Sequence, residues 1–106
     1  MADPTDYRSL DTFPAIKKLA INGTTCVQVF IPNDCNQVTV TSESHKFFVG
    51  QQGQTHEQPL TADALPVAQD SSVTFKIGKG RNRARSLFFE SNSTSDNLFI
   101  IMEEVI

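Results

Sequence analysis

The chain has 106 residues, enough for one compact domain, since such domains typically need about 100–200 residues. Val, Ile and Thr together number 25 against 13 for Leu plus Ala, and Phe occurs 8 times, so the composition favours strands over helices. Acidic residues number 12 and basic residues 9, and the resulting net charge of −3 excludes a generally basic nucleic-acid binder.

The N-terminal residues 1–14 are polar and are interpreted as an arm. Tyr7, Leu10 and Phe13 recur at three-residue steps, which is compatible with one short helical turn. We expect the arm to be tied either to its own domain or to a neighbouring subunit. The arm lacks an apolar stretch, so no secretory signal is expected, and the remaining residues 15–106 are predicted to form the single folded domain.

Strand signals follow one another through residues 15–106, separated by Pro, Gly and Asn turns. The two runs on either side of Pro32 alternate apolar and polar residues and are predicted to form a first hairpin. We expect an all-β fold: a small β-sandwich or jelly roll of about seven to eight short antiparallel strands. The predicted strands are 15–21, 25–31, 36–41, 46–49, 72–77, 86–90 and 97–103, with 60–68 as an irregular or edge piece.

Three of these segments are apolar on consecutive residues, which indicates burial on both faces. The pairs concerned are Phe47 with Phe48, Phe88 with Phe89, and Ile100 with Ile101. Because the domain is small, we expect some of these side chains to face another chain.

The two cysteines flank the predicted hairpin. That register places Cys26 opposite Val40 and Cys35 opposite Ile31, beyond the roughly 7 Å between Cα atoms that a disulfide needs. The sequence therefore predicts two free thiols, buried and inert rather than catalytic.

The sequence shows no constellation typical of an enzyme or a cofactor site. The two histidines, His45 and His56, would need Glu43, Glu57 or Asp63 to complete a metal site, and we interpret them as exposed loop residues. No run approaches the roughly 20 apolar residues of a membrane span. We expect a non-enzymatic protein without cofactors, metals or a membrane partner.

A basic cluster is the most distinctive local feature. Lys76, Lys79, Arg81, Arg83 and Arg85 place five of the nine cations within ten residues, beside Gly78 and Gly80. Three interpretations remain open: a solvated hairpin tip, a clamp on the acidic surface of a partner protein, and a nucleic-acid contact. The net negative charge and the lack of aromatic residues in the loop disfavour the last.

The order of these segments resembles the small all-β virion proteins of tailed bacteriophages that decorate or cement capsids. The resemblance covers residues 25–105 and lies in VQVFIPNDCNQVTVTSES, FFVG, PLTADALPVA, SSVTFKI, SLFFES and NLFIIMEEV. It implies binding to the major capsid protein lattice of a virion assembled in the host cytoplasm. It also implies a homo-oligomer, often a trimer, with an N-terminal arm reaching over its neighbours, and it transfers no catalytic residues.

The sequence thus predicts a capsid decoration or cement protein. A tail, neck or fibre-attachment component is the first alternative, and a carbohydrate- or receptor-binding module is the second. The absence of Trp and the single Tyr count against a sugar platform. The predicted partner-binding residues are Tyr7, Leu10 and Phe13 in the arm, and Lys79, Arg81, Arg83 and Arg85 in the basic cluster.

Overall fold

The computed structural model describes residues 4–22, 26–51, 65–78, 86–91 and 95–105, which form two packed β-sheets. None of these residues is helical. The strands within these ranges are β1 (Thr5–Asp6), β2 (Ala15–Asn22), β3 (Val27–Phe30), β4 (Gln37–Ser42), β5 (Phe47–Gln51), β6 (Leu65–Val67), β7 (Ser72–Lys76), β8 (Ser86–Ser91) and β9 (Ser95–Glu103).

One sheet has five strands in the order β1-β3-β8-β5-β6, and the other has four in the order β2-β9-β4-β7. The short β1 runs parallel to β3, and all the other pairs are antiparallel. The pairing is nested along the chain: β5 pairs with β6, β4 with β7, β3 with β8, and β2 with β9. Two further pairs, β4 with β9 and β5 with β8, complete the sheets.

The core lies between the two sheets and consists of alternate side chains from both. Phe47 and Phe89 come from the five-stranded sheet, and Val40, Leu98 and Ile100 come from the four-stranded sheet; all five are fully buried. β-Branched and aromatic residues suit these positions because they pack well on a pleated surface. The all-β, sandwich-like fold predicted from the composition is therefore confirmed.

The predicted first hairpin is wrong. β3 and β4 are consecutive in sequence but lie in different sheets: Val29 pairs with Leu87, whereas Val38 pairs with Met102 and Phe75. Alternation specifies which face of a strand is buried, and that signal is the same whether the next strand joins its own sheet or the opposite one. Residues 31–36 therefore link the two sheets.

Cys26 and Cys35 are both buried thiols that form no disulfide. The predicted hairpin does not separate the two thiols, because that hairpin does not form. They are separate because each lies in a different cluster of buried side chains. Cys35 lies in the main core, and its thiol donates to the carbonyl oxygen of Gln37 at 3.3 Å. Cys26 lies in a separate small cluster with Phe88.

Two further segments behave as their patterns predicted. All six residues of β8 are buried, as the apolar run indicated. Leu65–Val67 forms an edge strand of the five-stranded sheet, while residues 60–64 of the same predicted piece lie outside the described residues.

The described part of the N-terminal arm, residues 4–14, lies against its own domain. Thr5 and Asp6 pair with Val29 and Phe30, and the Tyr7 N–H donates to the Phe30 carbonyl at 3.1 Å. A single hydrogen-bonded turn follows, in which the Leu10 N–H donates to the Tyr7 carbonyl at 3.1 Å. The three-residue spacing thus corresponds to one turn and not to a helix.

Candidate functional site

The outer face of the four-stranded sheet carries large apolar side chains where an antiparallel sheet usually presents polar ones. On β9, Phe99 and Ile101 alternate with fully buried residues and are themselves half-buried on the opposite face. Ile16 on β2 lies opposite Ile101 and is 66% exposed. Opposite residues and residues two apart on a strand are neighbours on a sheet face, so these three form one apolar patch.

Short hydroxyl side chains border the apolar patch on β4. Thr39 lies opposite Ile101, and Thr41 lies opposite Phe99. The Thr39 and Thr74 hydroxyls are 2.9 Å apart, and the Thr41 hydroxyl donates to the Ser71 carbonyl at 3.0 Å. These hydroxyl groups are therefore hydrogen-bonded within the chain, and the patch is bordered by uncharged side chains on its β4 side.

A charged rim surrounds the apolar patch and has equal numbers of each sign. Gln37 lies opposite Lys76, and its amide donates to Glu103 at 3.2 Å, so both charges lie at one end of the face. Asn97 donates to Glu43 at 3.3 Å towards the other end. The rim consists of Lys18, Glu43, Lys76 and Glu103. Among the described residues, no ion pair involves any of the four.

The edge of this sheet carries a feature that opposes the addition of another strand. β2 is an edge strand and pairs only with β9. Lys17 lies opposite the buried Ile100, on the side of the strand that faces the core, and is exposed at the sheet margin. Inward-pointing charges on edge strands disfavour edge-to-edge pairing. Pairing of another strand along the β2 edge is therefore disfavoured.

A buried carboxylate, Asp96, organises one end of the sandwich. Its Oδ2 accepts hydrogen bonds from the hydroxyls of Ser42 at 2.7 Å and Ser91 at 3.2 Å. Its Oδ1 accepts from the Asn97 N–H at 2.8 Å and from the Ser44 hydroxyl at 3.4 Å. Ser42 belongs to β4 and Ser91 to β8, so this carboxylate ties the two sheets together.

The neighbouring His45 gives this cluster the residue types of a hydrolase but not the geometry. The Ser44 hydroxyl lies 2.9 Å from His45 Nδ1, and the Asp96 Oδ1 lies 3.8 Å from the same nitrogen. A relay needs the nucleophile and the carboxylate on opposite ring nitrogens. The arrangement therefore supports the residue 42–46 turn and does not activate Ser44.

The outer face of the five-stranded sheet holds a second apolar cluster, formed by Cys26 and Phe88, with Phe48 packed against it. The Lys46 ammonium lies 5.2 Å from the centre of the Phe48 ring. Burial raises the pKa of the Cys26 thiol to about 11, and the negative charge of Glu90 adds to the effect. The chemistry of this face is therefore that of an inert thiol.

A cleft of about 540 Å³ opens between the sheets on the side where β6 and β7 are edge strands. Its walls are mainly apolar and include Val49, Leu65, Phe75, Ile77 and Leu87. Of these, Leu65 is 44% exposed and Phe75 and Ile77 are half-buried.

The structure places the predicted arm residues Tyr7, Leu10 and Phe13 half-buried against the main core of their own chain. Their role in binding a partner stays a prediction. Lys79, Arg81, Arg83 and Arg85 lie outside the described residues, as does His56. The apolar patch was signalled in part by the consecutive apolar residues of β9, whereas Ile16 was not singled out.

No protein-family model, no curated protein and no solved structure matches this chain. Within the described residues, no group of three His, Cys, Asp or Glu side chains is arranged to hold a metal ion. The same part of the chain contains no helix long and apolar enough to cross a membrane.

Proposed function

We propose that this chain is a structural protein of a tailed-phage virion, a decoration or cement protein built as a jelly roll. The observation that carries the proposal is the nested pairing of β2 with β9, β3 with β8, β4 with β7 and β5 with β6. This is the pairing of a long folded hairpin wrapped into two sheets. Jelly rolls of eight strands recur in viral capsid and lectin domains.

The mechanism proposed is adhesion. The interior of the sandwich is filled by buried side chains such as Phe47, Phe89 and Ile100, so the activity resides on the surface. A subunit that bridges capsomers binds the assembled shell better than the dissociated one. It therefore stabilises the shell by RT ln(1 + [L]/Kd), where [L] is the free concentration of the decorating protein.

The partner in this proposal is the major capsid protein or another virion protein, and the site of action is the virion. The arm residues Tyr7, Leu10 and Phe13 remain candidates through the part of their surface that the core leaves open. The basic residues Lys79, Arg81, Arg83 and Arg85 remain candidates for clamping acidic surface. A threefold arrangement on the lattice also remains part of the proposal.

The test is to locate the protein in particles made from the genome that encodes it. Antibodies raised against the purified chain, applied as immunogold, should label heads at regular spacing. Heads lacking this protein should lose their DNA at lower temperature than complete heads. Label confined to tails or necks would replace the decoration role by the first alternative, and particles without label would refute a virion role.

A further inference from the structure

The apolar patch of the four-stranded sheet has no partner among the described residues and is bordered by a balanced set of charges. We propose that this face binds a second copy of the same chain, forming a two-fold dimer with the two sheets packed face to face. The proposal goes beyond the assignment to a virion and does not rest on it.

The first argument is the pattern on the face. Successive outward positions of β9 are Asn97, Phe99, Ile101 and Glu103, so on this strand two apolar residues lie between two polar ones, and Lys18 of β2 lies opposite Phe99. A two-fold axis that lies in the plane of the interface, perpendicular to the strands, places Phe99 of each copy on Ile101 of the other. The interface therefore contains this contact twice. Such isologous contacts require one surface that is complementary to itself.

The charges around the apolar patch also favour a second copy as the partner. The same axis brings Lys76 beside Glu43 of the second copy. It lays the aliphatic part of Lys18 over Ile16 of the second copy, with the Lys18 ammonium within reach of Glu103 of that copy. Among the described residues, the rim carries two positive and two negative charges, so these groups give no net repulsion between the faces of two copies, although the whole chain has a net charge of −3. An unrelated acidic or basic partner would leave half of this rim opposed by a like charge.

The β2 edge is disfavoured as the dimer contact. A strand-to-strand dimer through β2 would bury Lys17 on the core side of a continuous sheet. Burying an unpaired ammonium is costly, so face-to-face packing is preferred.

The size of the face sets the expected affinity. Four strands about 4.8 Å apart and about seven residues long give a footprint of roughly 450 Å² per copy, or about 900 Å² in total. Specific interfaces begin near about 1,000 Å², so the dimer is expected to be weak, with a Kd on the order of 10 µM.

The experiment is sedimentation velocity of the purified full chain over about 5–500 µM, the range that a Kd of this order requires. We expect a monomer–dimer equilibrium. Ile16→Lys and Ile101→Lys should each raise Kd at least tenfold. The matched control is Leu65→Lys, at a residue that is 44% exposed on β6 of the five-stranded sheet, which should leave Kd unchanged. Circular dichroism checks the fold, and Ile16→Lys is the variant of choice if Ile101→Lys destabilises it.

The charges give a second test. Lys18→Glu and Glu103→Lys should each weaken the dimer, and the double variant should recover most of the lost affinity. A monomer at the highest concentration, a solution trimer, or patch variants that associate as tightly as the Leu65→Lys control would each overturn the proposal. A double variant weaker than both single variants would overturn the two-fold arrangement. The virion assignment is tested separately by labelling particles.

Discussion

At the scale of single residues, Asp96 carries the clearest structural role in the molecule. It is 5% exposed, and it accepts four hydrogen bonds that join residues of β4, β8 and β9. Its charge is buried but surrounded by donors, which is how buried carboxylates are normally tolerated. Removing it leaves the buried hydroxyls of Ser42 and Ser91 without this acceptor.

We therefore expect Asp96→Ala to lower the free energy of unfolding by about 2–4 kcal/mol, in line with the loss of a buried hydrogen-bonding group. Urea denaturation followed by circular dichroism measures the change. Asp34→Ala, at an exposed residue, is the control and should cost less than about 0.5 kcal/mol. Equal midpoints for the two variants would show that the Asp96 cluster does not hold the sheets together.

Cys26 provides a prediction about reactivity. With a pKa of about 11, its thiol holds about a hundredfold less thiolate near pH 8 than one with a pKa of 9. In a Cys35→Ala background, Cys26 should react slowly with a thiol reagent in the folded protein and rapidly in urea. Equal rates in the two states would contradict its burial beside Phe88.

The same thiol affects stability at high pH. Its pKa is raised on folding, so the folded state binds the proton more tightly than the unfolded state does. Its stabilising contribution is complete below pH 9 and is lost as the pH rises towards about 11. The free energy of unfolding should fall across this window, and the fall should be smaller in Cys26→Ala. If the free energy of unfolding falls with pH equally in the two proteins, the pKa of the Cys26 thiol is not raised on folding.

At the scale of elements, the arm is part of the sandwich and not only an appendage. β1 covers the edge of β3, and Tyr7, Leu10 and Phe13 cover part of the main core. Each half-buried side chain contributes on the order of 1 kcal/mol through the apolar area that it removes from water. An arm that serves only as a tether to a neighbour would contribute nothing to the stability of the isolated chain.

The combined substitution Tyr7→Ala and Phe13→Ala should lower the free energy of unfolding by about 2–3 kcal/mol in the isolated protein. The matched control is Ser9→Ala with Thr12→Ala, two exposed positions of the same segment, which should be nearly neutral. Thermal and urea unfolding measure both. If the two double variants are equally stable, the arm's packing on its own domain is negligible and a tether remains its main role.

The strands show which features of the fold can be predicted from the sequence and which cannot. Alternation in 25–31 and 36–41 indicated strands with one buried face, and Val29, Val38 and Val40 on those faces are fully buried, because one face of each strand must leave water. The same alternation did not identify partners, since β3 and β4 look like a hairpin but belong to opposite sheets. Pairing in a nested fold joins distant strands such as β2 and β9, and no local signal encodes that distance.

The apolar patch could likewise be predicted only in part from the sequence. The apolar run of β9 indicated burial on both faces, and Ile101 was among the residues expected to face another chain. Ile16 becomes part of the patch only because the register places it opposite Ile101. A surface composed of several strands is therefore visible only after the fold is known.

At the scale of the whole molecule, the distribution of charge matters more than its sum. The net charge is −3, yet five of the nine cations lie in residues 76–85. The start of this segment lies near the acidic residue Glu103. The Ile77 N–H donates to the Asn36 carbonyl, and the Asn36 N–H donates to the Glu103 carbonyl. Asp11 and Glu104 line a neighbouring pocket with Glu103. The surface around Glu103 therefore combines acidic groups with Lys76, the first residue of the basic cluster.

A partner role for the basic loop predicts a specific dependence on salt. Exposed ion pairs contribute only about 0–1 kcal/mol each, so Arg81, Arg83 and Arg85 matter only when several pairs form together on an acidic surface. Replacing all three by Ala should leave the fold intact and weaken binding to particles. The wild-type protein should itself bind more weakly as salt rises, because a shorter Debye length screens these contacts.

The matched control for this triple variant is Lys46→Ala, which removes an exposed positive charge beside the five-stranded sheet, outside both the apolar patch with its rim and the basic cluster. Particle occupancy measured across a salt series should fall for the Arg variant and stay near the wild-type value for the Lys variant. Occupancy equal to wild type at every salt concentration would mean that the loop is only solvated. Loss of DNA affinity with normal particle occupancy would instead identify nucleic acid as the partner of the loop, because phosphate contacts also depend steeply on salt.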